Sequence, residues 1–245
     1  MKVLITGASS GIGKDMAIYL KKLGHELILV SSDEKKLKLV ADELDSKYVV
    51  CDLSNIDECK KLYNKVKDID ILINNAGFGK FGEFNNTSLD DELNMINLNI
   101  CAVHILTKLY LNDFIKRDSG YILNVSSTAA FSPGPLMSTY YSTKSYVFRL
   151  TTAIYEELRR SKSNVHISVL CPGPVKTNFN NVANVKFDIK STSSEYVAKY
   201  AIDKMFKNKL IIIPTLYMKL IVFFTRFPST KFLARTAYKI QSKKK

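Results

Sequence analysis

The sequence predicts a doubly wound α/β fold, with a seven-stranded parallel sheet between two layers of helices. Seven short apolar runs alternate with longer amphipathic stretches along the 245 residues. The runs are rich in Val, Ile and Leu with little polar alternation, as in strands covered on both faces. A glycine-rich turn joins the first run to the first amphipathic stretch. With 46% hydrophobic and 24% charged residues and no Pro/Gly/Ser-rich linker, the chain reads as one domain over 1–245.

The first run, KVLIT (2–6), stops at Gly7. It is too short for the core of a signal peptide and reads as a buried strand. TGASSGIG (Thr6–Gly13) follows, with glycines at 7, 11 and 13, and a helix is expected over 11–23. Such glycines permit a tight turn and let the backbone approach a pyrophosphate at the helix N-terminus. The same residues also fit G-x-S-x-G, a hydrolase nucleophile elbow with Ser9 as nucleophile. That reading needs His104 or His166, which fall inside an expected helix and an expected strand.

ELILV (26–30) and YVVC (48–51) give the second and third strands, separated by a helix over 33–45. A helix over 55–67, with Ser54 at its N-cap, leads to DILIN (70–74). A long helix over 88–117, capped by Ser88, precedes YILNVS (121–126). A helix over 138–161 separates that strand from VHISVLC (165–171), and KLIIIP (209–214) is the seventh run. In such sheets ligands bind beyond the carboxyl ends of the strands, so functional residues are expected just after these runs.

Four cysteines without C-x-x-C spacing read as reduced thiols of a cytoplasmic protein. Together with three scattered histidines they offer no metal site. Of the net charge of +13, +11 lies from Lys199 onward, so the basicity does not mark a nucleic-acid surface over the whole fold. It suits a solvated tail, an anionic membrane surface or an acidic carrier. Residues 215–245 read as two basic amphipathic helices joined at Pro228. Lys219, Arg226 and Pro228 break the apolar run too often for a membrane span. A flap over the substrate site or an oligomer interface is one expectation, and peripheral membrane contact is the other.

NNAG (Asn74–Gly77) follows the fourth strand and NVSS (124–127) ends the fifth. Tyr140 and Lys144 stand four residues apart on one helical face, and CPGPVKT (171–177) follows the sixth strand. Together with TGASSGIG, in this order and spacing, these segments resemble the short-chain dehydrogenase/reductase family over residues 1 to about 180. The resemblance implies a Rossmann fold and hydride transfer between NADP or NAD and a carbonyl or alcohol. It makes Tyr140 the general acid/base and Ser127, rather than Ser126, the group on the substrate oxygen. Lys144 would hold the nicotinamide ribose and lower the tyrosine's pKa. Asn97 would position a relay water, with Asn99 the nearby competitor.

For the cofactor, the resemblance implies contacts from Gly7, Ser9, Ser10, Gly11, Ile12 and Gly13. It adds Asp52 and Leu53 at the adenine, Asn74, Ala76 and Gly77 beneath the ribose, and Pro172, Gly173, Val175 and Thr177 at the nicotinamide. Ser31 and Ser32 stand where the family carries an acid for NAD or an arginine for NADP. Without that carboxylate, and with Lys35 and Lys36 nearby, NADP is the expected choice. Phe78, Phe81, Phe131, Pro133, Met137, Tyr141 and Phe179 are candidate walls for an apolar carbonyl or alcohol substrate. Residues 178–195 fit a substrate loop. A homodimer or homotetramer is expected from the resemblance, and a non-catalytic dinucleotide-binding regulatory module is the alternative to an enzyme.

Overall fold

The computed structural model describes residues 1–177 and 191–244. Its frame is β1 (Lys2–Thr6), α1 (Gly11–Lys22), β2 (Glu26–Ser31), α2 (Glu34–Glu43), β3 (Lys47–Val50), α3 (Ile56–Lys65) and β4 (Ile71–Asn74). It continues through α4 (Leu89–Ile96), a π-helical turn (Asn97–Ala102), α5 (Val103–Lys116), β5 (Gly120–Val125), α6 (Ser138–Arg160) and β6 (Val165–Leu170). The strands β7 (Val175–Lys176) and β8 (Thr192–Ser193), helix α7 (Ser194–Met205) and strand β9 (Ile211–Ile212) follow. Two further helices, α8 (Leu216–Phe224) and α9 (Thr230–Gln241), close the described chain with a short 3₁₀ turn.

Seven strands form one parallel sheet in the order β3-β2-β1-β4-β5-β6-β9. The strand order reverses between β1 and β4, which opens a crevice at their carboxyl ends. Successive side chains explain the unalternating strands. Val3 and Ile5 pack with α1, α2 and α7 on one face, while Leu4 packs with α3, α5 and α6 on the other. Each strand therefore carries two apolar faces.

Local chemistry sets most helix starts. Asp33 and Ser88 accept backbone N–H groups at the starts of α2 and α4. The expected cap at Ser54 is one residue early. Asn55 caps α3 by accepting from Asp57 N and Glu58 N, while the Ser54 hydroxyl donates to Asp52. The long helix expected over 88–117 is not continuous, because six residues of π-helix interrupt it at Asn97–Ala102. A buried polar network joins β4, β5, α5 and α6: Asn74 Nδ2 donates to Thr107 and Asn124, and Asn124 Nδ2 donates to Thr151. Among the described residues, no helix is long and apolar enough to cross a membrane.

Candidate active site

A cavity of about 480 Å³ lies at the carboxyl ends of β1, β4, β5 and β6. Its floor comes from the turn after β1. Gly7 and Gly11 adopt φ of +65° and +55°, which side chains with a Cβ rarely accept. A Cβ on Gly7 would stand 2.9 Å from Ala76 Cα, and one on Gly13 would stand 2.4 Å from the Gly7 carbonyl oxygen. Thr6 fastens the opposite wall by accepting Asn75 N at 2.9 Å and Ala76 N at 3.0 Å. Asn75 answers by donating from Nδ2 to the carbonyls of Thr6 and Gly7. The cradle is therefore held from both strands that border the crevice.

This cradle fits a dinucleotide phosphate. Helix α1 starts at Gly11 without a side-chain cap from Ser10 and without an acidic residue in its first turn. Its first N–H groups and positive dipole end are left for an anion. Gly7, Ser9, Ser10, Gly11 and Ile12 line the cavity, while Gly13 is buried at the contact between α1 and the turn. Ser31 adjoins through a 2.9 Å contact with the Ser9 hydroxyl, and Ser32 is exposed beside it. Asp33 N donates to Ser31 Oγ at 3.3 Å, while the Asp33 carboxylate caps α2 by accepting from Lys36 N and Lys36 Nζ.

The chemistry-bearing groups meet at the far end. Ser127 Oγ accepts from Ala129 N at 3.1 Å and is hydrogen-bonded to the Tyr140 hydroxyl. Lys144, only 5% exposed, donates from Nζ to the Val125 carbonyl at 3.0 Å. Its ammonium lies 5.8 Å from the Tyr140 ring centre. Burial lowers the Lys144 pKa to about 8. Burial also raises the Tyr140 phenol above its ordinary value, and the Ser127 bond only partly opposes this. The expected lowering of the tyrosine by Lys144 is thus not met in the protein alone, where desolvation is the larger effect.

Several further expectations need correction. Asn97 is half-buried outside the cavity. Asn99 is the fully buried side chain turned toward the site. Its Oδ1 accepts from Phe78 N at 3.1 Å, and its Nδ2 donates to Phe78 O and Thr143 Oγ1. Gly77 makes room for it, since a Cβ there would lie 2.8 Å from Asn99 Oδ1 and 3.3 Å from Lys144 Nζ. Residues 97 and 99 lie on opposed sides of a helix, and the π turn decides which side faces inward. Asn74 belongs to the buried network rather than the ribose floor, where Asn75, Ala76 and Gly77 line the cavity. Leu53 is a core residue, and Asp52 accepts from Ser54.

Phe78, Met137 and Tyr141 line the cavity, as do Pro172, Gly173, Val175 and Thr177. Phe131 instead packs edge-on against Phe148, with ring centres 4.7 Å apart, and Phe81 packs on Met137. Phe179 and the loop over 178–190 lie outside the described residues, while Thr192–Ser193 pairs with Val175–Lys176. The hydrolase reading fails on its base. His104 bonds Tyr146 on the outer face of α5, and His166 packs on Tyr121, both away from Ser9 and the cavity.

The carboxyl-terminal helices supply a wall that the motifs did not mark. Tyr217, Met218, Ile221, Val222, Ala237 and Gln241 all line the cavity. Met218 packs on Gly173, where a Cβ would stand 2.8 Å from its Cγ. Gln241 Nε2 donates to the Tyr141 hydroxyl at 2.7 Å and ties the end of α9 across the site. The amphipathic pattern of 215–245 was the available signal for these helices.

The family model for short chain dehydrogenases matches residues 1–186. The chain is 32% identical over 185 residues to the 3-oxoacyl-(acyl-carrier-protein) reductase FabG of Rickettsia typhi, covering 75% of this chain and 76% of that protein. It is 32% identical over 207 residues to the very-long-chain 3-oxoacyl-CoA reductase of Anas platyrhynchos, covering 79% of this chain and 65% of that protein. Among solved structures, a short-chain dehydrogenase from Sphingobium yanoikuyae in complex with NADPH superposes with a TM-score of 0.82 at 28% identity, covering 88% of each chain.

Proposed function

The chain belongs to the short-chain dehydrogenase family and is an oxidoreductase using a nicotinamide cofactor, and we propose that it interconverts the carbonyl and secondary alcohol of an apolar substrate with NADP(H). The observation that carries this reading is the meeting of Ser127, Tyr140 and Lys144 in the same cavity as the glycine cradle. When bound, the reduced nicotinamide supplies the hydride to the carbonyl carbon. Ser127, oriented by Ala129 N, supports the developing charge on the substrate oxygen. Tyr140 delivers the proton to that oxygen. Its burial keeps the phenol protonated at neutral pH, as reduction requires.

In the oxidative direction Tyr140 must give up its proton before accepting another. The Lys144 cation then favours the phenolate. Asn99 fixes the Phe78 backbone and Thr143, and through them the Lys144 side of the site. NADP rather than NAD is supported by Ser31 and Ser32, which put hydroxyls where a carboxylate would hold a ribose 2′-OH, while the Asp33 carboxylate caps α2 and pairs with Lys36. The apolar wall of Met137, Tyr141, Met218 and Ile221 suits an acyl or other apolar ketone, in keeping with the 3-oxoacyl reductases among the relatives. A homodimer or homotetramer belongs to the same proposal and rests on the family pattern.

The test follows NADPH and NADH absorbance with 3-oxoacyl thioesters and apolar ketones. NADPH is expected to be oxidised faster, and Tyr140→Phe to lower kcat by about 10²–10⁴-fold. Undiminished turnover by Tyr140→Phe would overturn the mechanism. Cofactor binding without turnover across the panel would favour the regulatory module.

A further inference from the structure

We infer that the helices α8 and α9 form a docking surface for an anionic lipid bilayer, and that the seam between them is the door through which a bilayer-dissolved substrate reaches the site. The inner faces of both helices close the cavity, with Met218 and Val222 on α8 and Ala237 and Gln241 on α9. The outer face of α8 is a different surface. Leu216, Leu220, Phe223, Phe224 and Phe227 recur at helical spacing, and all are exposed. The three phenylalanines cluster, with ring centres 5.4 to 6.3 Å apart, and Phe227 is 70% exposed. A contiguous aromatic and aliphatic face of this kind in water marks an interaction surface.

Charge complementarity selects the occupant. Residues 215–245 hold eight Lys and Arg and no Asp or Glu. On α9, Lys231, Arg235 and Lys239 repeat every four residues, so they form one basic stripe, and all three are exposed. An exposed apolar face and a basic stripe within one carboxyl-terminal segment are what binding to the headgroup region of an anionic leaflet requires. A carboxylate-free surface suits negatively charged headgroups, whereas a second copy of this segment would bring eight more positive charges against it.

The geometry also connects this surface to the chemistry. A second, apolar groove between the helices is lined by Leu220, Phe224 and Leu233 together with Tyr217, Ile221 and Thr225. The last three also line the active-site cavity, so the groove and the cavity adjoin along this one row of α8. An acyl chain leaving the bilayer along Phe224 and Leu233 would meet apolar side chains all the way to Ile221 and Met218. This last step rests on the oxidoreductase reading, but the docking itself does not.

The full-length protein is mixed with phosphatidylcholine vesicles, with or without phosphatidylglycerol, and floated through a density gradient. It is expected to rise with the phosphatidylglycerol vesicles, to rise much less with phosphatidylcholine alone, and to be released by salt. The triple change Lys231→Gln, Arg235→Gln, Lys239→Gln should weaken binding on the order of 100-fold, at one headgroup attraction per charge. Phe223→Ser with Phe227→Ser should weaken it as well, although neither residue lines the cavity. Both variants should reduce a short, water-soluble ketone at the wild-type rate and lose turnover of a ketone embedded in vesicles.

Protein that stays at the bottom of every gradient overturns the docking, whatever its activity. Equal flotation with neutral and anionic vesicles overturns the anionic assignment. An oligomer that falls apart in the phenylalanine variant, without any vesicle binding by the wild type, makes the face an interface between copies. Flotation without turnover of any ketone leaves the docking standing and removes the proposed reaction on apolar ketones instead.

Discussion

Replacing Lys144 by Met should make the protein more stable at neutral pH and nearly inactive. The side chain is almost fully buried, and burial lowers its pKa from the ordinary 10.5 to about 8. Between those values the unfolded chain holds a proton that the folded chain has lost, so stability rises with pH across that window. Below about pH 8 the folded protein carries the full cost of the buried ammonium. At about 1.4 kcal/mol per tenfold change in acidity, that cost is about 3 kcal/mol. Methionine is of similar shape and has no charge, but it gives up the bond from Nζ to the Val125 carbonyl, which contributes about 1 kcal/mol.

The net expectation is that Lys144→Met is about 2 kcal/mol more stable at pH 7, with Tm higher by roughly 4–8 °C for a chain of this size. The neighbouring Cys171 thiol, pushed up to about 12 by burial, stays neutral through the window and does not disturb the comparison. Urea unfolding of both proteins at intervals from pH 7 to above pH 10 reads the difference directly. The advantage should shrink as pH rises through the window and reverse above it, where only the lost hydrogen bond remains. A variant that is less stable at pH 7, or a difference that does not change with pH, would refute the reasoning. The coupled loss of turnover would show stability held back by function.

Asn99→Leu should lower stability by about 2–4 kcal/mol in urea unfolding, because three hydrogen bonds of a fully buried amide disappear and the Phe78 backbone is left unpaired. Asn97→Ala should stay within about 0.5 kcal/mol of wild type, and equal effects at the two positions would reverse the assignment made here. Gly13→Ala places a Cβ 2.4 Å from the Gly7 carbonyl, so the turn must shift. Calorimetric titration with NADPH should show at least tenfold weaker binding, with a stability loss of about 1–3 kcal/mol.

The strands were legible because a parallel sheet covered on both faces leaves an unmistakable sequence of apolar runs. Their order and the glycine turn pointed to a site beyond the carboxyl ends of the strands, and the sheet order then placed the crevice at β1 and β4. Tyr140 and Lys144 were legible as neighbours from their spacing on one helical face, and Ser127 joined them through the family resemblance. Asn97 and Asn99 were not separable, because a π turn changes which side of the helix faces inward, and that turn leaves no simple mark in the residues. Asn74 was misplaced for a related reason: a residue beside a motif can turn into the core while its neighbour, here Asn75, meets the cavity.

By itself, the sequence determined which elements form, in what order, and which polar groups stand at the strand ends, since these follow from local periodicity and chain order. Only the tertiary structure decided the rest. An amphipathic pattern in 215–245 says that a helix has two faces but not what each face meets. Packing set Met218 on Gly173 and Gln241 on Tyr141, and thereby made the tail a wall of the site. Burial is likewise a property of the whole fold, and it raised Tyr140 and lowered Lys144 against the direction that their adjacency alone suggests.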